Sequence, residues 1–397
     1  MEKTSQQEEG RYRMIRIAFV KYGGLSAGGT EKYLQTLAAH LPKDKFSIDY
    51  FYTHATPLIG SDWKHPETNP DRVAYMQDKN INTIEISCEA RDYRSGAPYP
   101  WVNTNFFEIF KEDEYDIIQT GRCGYEEFPF NELENSVFVD SIHCAGNVTY
   151  RSSNLAKTVC ICKEQAANWG HYGGDSSKVE IIPTLVEVPE LRPSKMRAEL
   201  GISDSTFVYG MHQRNDEDIF SPIPLAAFKI LEHNNIENIL FLLLGGAKAY
   251  RSQAEQLGIK NIKFLDFNGD VNYINDFVES LDVYAHGRMD GEVCSASIIE
   301  GLYHGKPIVT HAGRDANGHF EQIDNGAGIK ITSKDESCFK EYAEALFFLK
   351  TNNEKYSEFS KKSKEQFNNK YSLERCIERY TDIYEEVYEN IKRGQYT

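Results

Sequence analysis

The sequence predicts an α/β protein made of two doubly wound domains with parallel sheets. Three observations carry that expectation. Short apolar segments alternate with amphipathic helical segments, the pattern of a parallel sheet covered on both faces. The proline-punctuated stretch PTLVEVPELRPSK (183–195) interrupts the alternation midway and marks a linker. The 397 residues suffice for two cores.

The elements follow in chain order. Ile15–Val20 is an apolar strand, followed by KYGGLSAGGTEKYLQTLAAHL. Thr30 can cap a helix whose apolar side is Tyr33, Leu34, Leu37 and Leu41, and Pro42 stops it. Further strands are expected at Phe46–Tyr52, Thr83–Ile86, Asp116–Gln119, Ser136–Asp140 and Thr158–Cys162. The second set is Phe207–Tyr209, Ile239–Leu244, Ile262–Phe264, Val283–Ala285 and Pro307–Thr310. From Leu373 to Ile391 apolar residues recur every three or four positions, which predicts one long amphipathic helix. The expected division is 1–187, 188–371 and a terminal helix within 372–397 that either crosses to the first domain or serves a dimer. The stretch 54–105, rich in Tyr, Trp and Pro, reads as an insert in the first domain.

Composition excludes several classes. The net charge of −16 argues against a nucleic-acid partner. No apolar run is long enough to span a membrane, and the polar start MEKTSQQEEGRYRM lacks the core of a signal peptide. The eight cysteines form no C-x-x-C pair, so reduced thiols and a cytoplasmic location are expected. Asn147-Val148-Thr149 is a glycosylation sequon by pattern only. No acidic metal-binding cluster is evident, so no metal is expected.

The most informative stretch is GEVCSASIIEGLYHGKPIVTH (291–311). Ser295 can cap a helix carrying Ile298, Ile299, Leu302 and Tyr303, Gly305 ends it, and a buried strand follows. Glu292 then lies in the loop before the helix and Glu300 inside it. The free N–H groups at such a helix start suit a phosphate. Five residues of helix from Ser295 to Glu300 rise about 7.5 Å, roughly one diphosphate-to-ribose step. On spacing alone, two solvated surface acids remain the simpler reading.

Other strand ends carry chemistry of the same kind. Gly28-Gly29 lies between a strand and a helix start, either as a flexible turn or as a place where backbone approaches a phosphate. Arg214 directly follows a strand, where open α/β sheets bind ligands, although a lone Arg is also commonly a solvated residue. His143 follows a strand in VFVDSIHCAG and is equally compatible with a structural role. Gly246 belongs to a glycine pair ending Ile239–Leu244.

Taken together, these strand ends resemble the glycosyltransferase 4 family, retaining sugar-nucleotide transferases of the GT-B fold. Four stretches carry the resemblance: AGGTEKYLQTLAAHL, KVEIIPTLVE, LLLGGAKAYRSQAEQLGIKNIKFLDF and DVYAHGRMDGEVCSASIIEGLYHGKPIVT. The last holds two glutamates with seven residues between them, followed by Gly-Lys-Pro.

The resemblance implies a role for each position. Glu300 would bind the ribose hydroxyls and Glu292 the donor sugar. The backbone of Val293, Cys294 and Ser295 would hold the diphosphate, with Arg214 and Gly28-Gly29 on the phosphates and Gly246 in the donor site. His143 would sit near the transferred sugar. The implied donor is a UDP- or GDP-sugar, with no further cofactor. The implied acceptor is a glycan, a lipid-linked sugar or a small molecule, with peripheral membrane contact compatible. The resemblance places acceptor binding in the first domain and donor binding in the second.

Two departures stand out. The family's Lys a few residues after the Arg is missing from RNDEDIFSP, which is acidic; either another cation replaces it, with Arg288 the candidate, or donor binding is weaker. Thr184-Leu185 replaces the family's Asn-Gly after Ile-Pro. The alternatives are a sugar-nucleotide epimerase of the same architecture and a sugar-nucleotide-binding protein with little turnover.

Overall fold

The structure, a computed structural model, describes residues 13–396 apart from 22, 27, 55, 62–66, 97–98, 123–127 and 144–153. The Asn147-Val148-Thr149 sequon lies outside the described residues. In the first half the strands are Ile15–Lys21 (β1), Phe46–Thr53 (β2), Leu58–Ile59 (β3), Asn82–Ile86 (β4), Ala90–Asp92 (β5), Trp101–Val102 (β6), Ile117–Thr120 (β7), Phe138–Ile142 (β8), Leu155–Cys160 (β9) and Val179–Ile181 (β10). Seven of them form one sheet in the order β10-β9-β8-β7-β1-β2-β4, with every pairing from β8 to β4 parallel. Its central strands are almost wholly buried, as a sheet covered on both faces requires.

The second half contributes Phe207–Gln213 (β11), Ile239–Gly245 (β12), Ile262–Leu265 (β13), Val283–Ala285 (β14), Ile308–His311 (β15) and Gly328–Ile331 (β16). They form a fully parallel sheet in the order β13-β12-β11-β14-β15-β16. The order reverses direction between β11 and β14, which places a topological switch point beside the ends of those two strands. Beneath them runs an apolar core including Leu242, Leu243, Phe277, Val283, Ile298 and Val309. Tyr342 is fully buried, its single hydroxyl hydrogen shared between the carbonyls of His286 and Val309, each 3.0 Å away.

The chain divides into two compact units. One comprises Met1–Ser141, Tyr150–Thr158 and Tyr380–Thr397; the other comprises Ile142–Thr149 and Val159–Arg379. The terminal helix runs Leu373–Lys392 and buries the expected stripe of Cys376, Ile377, Tyr380, Ile383, Tyr384 and Val387.

Local differences from the sequence expectation have physical reasons. The first helix begins at Gly29 with Gly28 at its N-cap, so Thr30 lies in the first turn and caps nothing. The strand expected at Thr158–Cys162 is shifted to Leu155–Cys160, because Cys162 caps the helix Lys163–His171 by accepting from the Gln165 N–H. The strand expected at Ser136–Asp140 lies at Phe138–Ile142, where Phe138 pairs with Ile118 and Asp140 with Thr120. β16 was not anticipated, since its four residues are mostly half-buried and carry little apolar signal. β10 was implied only through the resemblance. Within 54–105, β3, β5 and β6 form a small separate sheet, and buried Trp101 packs edge-on against Phe106 and Phe130.

Buried polar contacts help secure the terminal helix, among them that of Tyr33 with Tyr380 at 2.9 Å. The Tyr384 hydroxyl donates to Gln119 Oε1 at 2.7 Å, with both side chains fully buried. Tyr384→Phe leaves that carbonyl oxygen without its donor, at a cost of about 1–3 kcal/mol. A lowered urea midpoint with an unchanged denaturant slope is the expected outcome; an unchanged midpoint would show that the contact contributes nothing.

Candidate functional site

The ends of β11 and β14 and the first turn of the helix Ala296–Tyr303 surround a cavity of about 260 Å³. Its floor is the parallel sheet, so the cavity opens at the carboxyl ends of the strands. Glycines let the wall between β14 and the helix fold tightly. A side chain at Gly287 would meet Pro224 Cγ at 2.4 Å, and one at Gly291 would meet the Ala316 carbonyl oxygen at 1.8 Å. Gly291 also has a φ of +78°, a conformation glycine adopts at little cost. Ser295 closes the loop: its side chain accepts from the Ile298 N–H, and its backbone is gripped by the Gln322 amide through two bonds of 2.8 Å.

Glu292 is the centre of an ion cluster on this wall. His286 Nε2 lies 2.9 Å from Oε2, and Arg288 Nη1 donates to Oε1 at 2.9 Å. Burial pushes the Glu292 carboxyl up, but His286 and then Arg288 outweigh it and hold the group at about 2. Glu292 is therefore an anion across the working pH range and no proton donor. Arg288 also contacts Asp290, with Nε to Oδ1 at 2.9 Å and Nη2 to Oδ2 at 2.6 Å. Two carboxylates thus compensate this one guanidinium. His286 is fixed in turn by Thr310 Oγ1, 2.8 Å from Nδ1.

Glu300 also lines the cavity, from one turn into the helix Ala296–Tyr303. Its Oε2 lies 2.8 Å from His212 Nε2, and its side chain is 22% exposed toward the cavity. Between His212 and Arg214, Gln213 donates from Nε2 to the Gly287 carbonyl at 3.0 Å. Gln213 Oε1 is buried without a hydrogen-bond partner, which leaves an acceptor on the cavity wall.

The site residues expected from sequence are partly brought together. Arg214, Arg288, Glu292 and Glu300 all line the cavity. Arg214 is largely exposed and pairs with Asp216 at 2.9 Å, so its charge too is shared with a nearby acid. Val293 and Cys294 form the loop entering the helix, and burial pushes the Cys294 thiol up to about 11, which keeps it an inert thiol. The Ser295 N–H is taken by Gln322 and the Ile298 N–H by the Ser295 side chain, so among the described contacts the N–H groups of Val293, Cys294, Ala296 and Ser297 are those left for an anion. Gly246 is not among the cavity's lining residues: its N–H donates to the carbonyl of the lining residue Gln213 at 2.7 Å, and its φ is +79°. His143 directly follows β8, is half-buried and does not line the cavity.

Gly28 and Gly29 belong to the first unit. A Cβ on Gly28 would lie 2.4 Å from Glu31 Oε2, so the Glu31 carboxylate sits at that helix start; Lys21 Nζ lies 3.5 Å from its other oxygen. Sequence reasoning passed over His212, Tyr284, His286, His319 and Gln322. His212 and His286 could have been found, because each stands at the carboxyl end of a buried strand, as Arg214 does.

Two buried histidines lie under the loop. His311 Nε2 pairs with Ser221 Oγ at 2.8 Å, and His319 Nε2 with the His311 carbonyl at 3.1 Å. Burial lowers both to about 4, with the charge of His286 adding to the effect. A histidine lowered in the fold binds its proton more tightly when unfolded. Stability is therefore complete above about 6.5 and is lost as pH falls toward 4, by up to about 1.4 kcal/mol per pH unit for each histidine. Glu292 adds a further loss between about 4.5 and 2, because its lowered group stabilises only while ionised. Urea midpoints measured from pH 7 to 4 should fall steeply in the parent and less steeply in His311→Asn; parallel slopes would show that His311 does not supply the linkage.

Residues 223–366, which include β14 and the helix carrying Glu300, match the family model described as glycosyl transferases group 1. A comparison with curated proteins finds no match. Among solved structures, the chain is similar to HepE of Anabaena in complex with UDP and glucose, at 15% identity over 94% of this chain and 100% of that one, TM-score 0.68. It is similar to a glycosyltransferase from Rickettsia africae, at 16% identity over 96% and 100% of the two chains, TM-score 0.71. It is also similar to WaaG, a glycosyltransferase involved in lipopolysaccharide biosynthesis, at 15% identity over 93% and 99%, TM-score 0.60. The chain has the GT-B fold of these glycosyltransferases, and the match to the group 1 model covers the β14 and helix Ala296–Tyr303 side of its cavity but not the end of β11.

Proposed function

We propose that the protein is a retaining glycosyltransferase of the glycosyltransferase 4 type, moving a sugar from a nucleoside diphosphate sugar to a hydroxyl acceptor. The observation that carries this reading is that Glu292 and Glu300 face one cavity from opposite ends of a helix start. The spacing suits a sugar, a diphosphate and a ribose in line. UDP- and GDP-sugars are the donors to test first. The reading assigns donor binding to the second unit, acceptor binding to the first, and a glycan or glycolipid as acceptor. It also places the protein in the cytoplasm, where such donors are made. Among the described residues, no helix is long and apolar enough to cross a membrane.

In the proposed reaction the bond between the anomeric carbon and the phosphate oxygen breaks, and its electron pair leaves with the diphosphate. The acceptor oxygen bonds to the anomeric carbon on the same face, and its proton passes to the departing phosphate oxygen. Negative charge grows on the diphosphate as the sugar becomes oxocarbenium-like. The free N–H groups at the helix start and the Arg214 guanidinium would stabilise that charge. Glu292, fixed as an anion, would accept from sugar hydroxyls. Gly28-Gly29 is assigned to the phosphates, with Glu31 competing for the same helix start. His143 is assigned to the vicinity of the sugar.

One observation favours a second reading. Arg288 is compensated by Asp290 and Glu292, and Arg214 shares its charge with Asp216, so little uncompensated positive charge faces a diphosphate. A sugar-nucleotide-binding protein with slow turnover fits that balance. Incubation with a panel of sugar nucleotides in EDTA separates the readings. A transferase releases free nucleoside diphosphate slowly even without acceptor, and chelation leaves the rate unchanged. An epimerase yields an isomer, and a binder yields neither. Loss of release in EDTA, restored by Mn²⁺ or Mg²⁺, would contradict the metal-independent mechanism.

The two glutamates should fail differently. Glu300→Gln should weaken donor and free nucleoside diphosphate alike, because the ribose barely changes during reaction. Glu292→Gln should act mainly on kcat. It should leave diphosphate affinity unchanged or tightened, since neutralising Glu292 frees positive charge on Arg288. Calorimetric Kd values and kcat for both variants decide the matter; if both match the parent, the glutamates are not in the site.

A further inference from the structure

Glu300 stands apart from the ion cluster that fixes Glu292. Among the described residues its carboxylate has one partner, His212 Nε2 at 2.8 Å. A carboxylate of this kind only accepts, so Nε2 carries the proton. The imidazole is itself held in place. Its Nδ1 lies 3.2 Å from the Tyr284 hydroxyl, which also lies 3.3 Å from the His212 carbonyl and accepts from the His212 N–H at 3.3 Å. Phe277 and Tyr284 flank the ring edge-to-face, with centroids at 6.0 and 5.6 Å.

Tyr284 can serve either charge state of the ring. With a neutral imidazole its hydroxyl donates to Nδ1. With an imidazolium Nδ1 donates to the hydroxyl, which turns its hydrogen to the His212 carbonyl. Either way the ring keeps its orientation and presents Nε2–H to Glu300. Tyr284 is fully buried and anchored in β14, so the chain Tyr284–His212–Glu300 ties a cavity acid to the sheet. Oε2 is committed to His212, and Oε1 has no hydrogen-bond partner among the described residues.

We infer that His212 is a positioning residue that fixes Glu300 for the ribose hydroxyls and thereby sets a preference for ribonucleotides over their deoxy counterparts. The inference rests on the donor reading of the cavity. A long glutamate side chain held at one oxygen loses less freedom on binding than one that is loose. The benefit reaches only ligands that use Glu300. A ligand lacking the hydroxyl should therefore be indifferent to His212.

The test is calorimetry of UDP and GDP against their 2′-deoxy and 3′-deoxy counterparts, on the parent, His212→Leu, His212→Gln and Tyr284→Phe. The parent should prefer the better ribonucleotide by about 10- to 100-fold over at least one deoxy form. His212→Leu should cut that preference to about threefold or less by weakening the ribonucleotide alone. His212→Gln, whose amide N–H can reach Glu300, should restore most of it. Tyr284→Phe should fall between, and it keeps the test open if His212→Leu does not fold. If the variants keep the parent's preference, or weaken ribo and deoxy forms alike, His212 has no positioning role. A parent that binds a diphosphate without any ribose preference overturns the inference and spares the donor reading. A parent that binds neither UDP nor GDP removes support from both.

Discussion

The cavity depends on one half-buried ionic arrangement, the carboxylate of Glu292 held between His286 and Arg288. Taking a carboxylate out of water costs several kcal/mol unless close partners compensate it. Here one histidine and one arginine do so, each at 2.9 Å, and each has its own support: Thr310 for the histidine and Asp290 for the arginine. The same cluster sets the path of the loop between β14 and the helix Ala296–Tyr303. That path decides which backbone N–H groups face the cavity and which, like that of Ser295, are consumed internally.

The arrangement has an electrostatic consequence. The guanidinium on the loop is spent on two acids, and the strand-end arginine shares its charge with a third. On the proposed donor reading, anion recognition in the second unit would fall chiefly to the helix start and to geometry. Backbone dipoles at a fixed helix end need no reorganisation when charge develops, so such a site can act on a transition state while offering modest ground-state affinity. Glu300 belongs to a separate mechanical system, linked through His212 and Tyr284 to the sheet. The two acids eight residues apart thus sit on different supports, which suits different roles.

The sheets were legible because buried parallel strands are written as continuous apolar runs, and Ile239–Leu244 and Val283–Ala285 lie where those runs predict. Strand ends were less legible where a residue had a second task, as Cys162 does in capping a helix. β16 was invisible because edge strands bury little and need little apolar signal. The acidic pair, the helix cap at Ser295 and Arg214 could be picked out because capping chemistry and strand-end position are local properties. The partners that define the site could not. Gln322 grips Ser295 from 27 positions away in sequence, and His212 meets Glu300 from another element; no local pattern announces such pairings. The fate of Arg288 was also hidden, because its loop was read for a cation and not for the two acids that neutralise it.

The central claim is that the cavity between β11, β14 and the helix Ala296–Tyr303 holds the donor nucleotide. A crystal structure with a non-transferable UDP- or GDP-sugar analogue tests it most directly. The account predicts the diphosphate within hydrogen-bond reach of N–H groups between Val293 and Ser297, the ribose hydroxyls at Glu300 and the sugar toward Glu292. A nucleotide bound elsewhere with this cavity unoccupied, or one lying here with its ribose remote from Glu300, would contradict it.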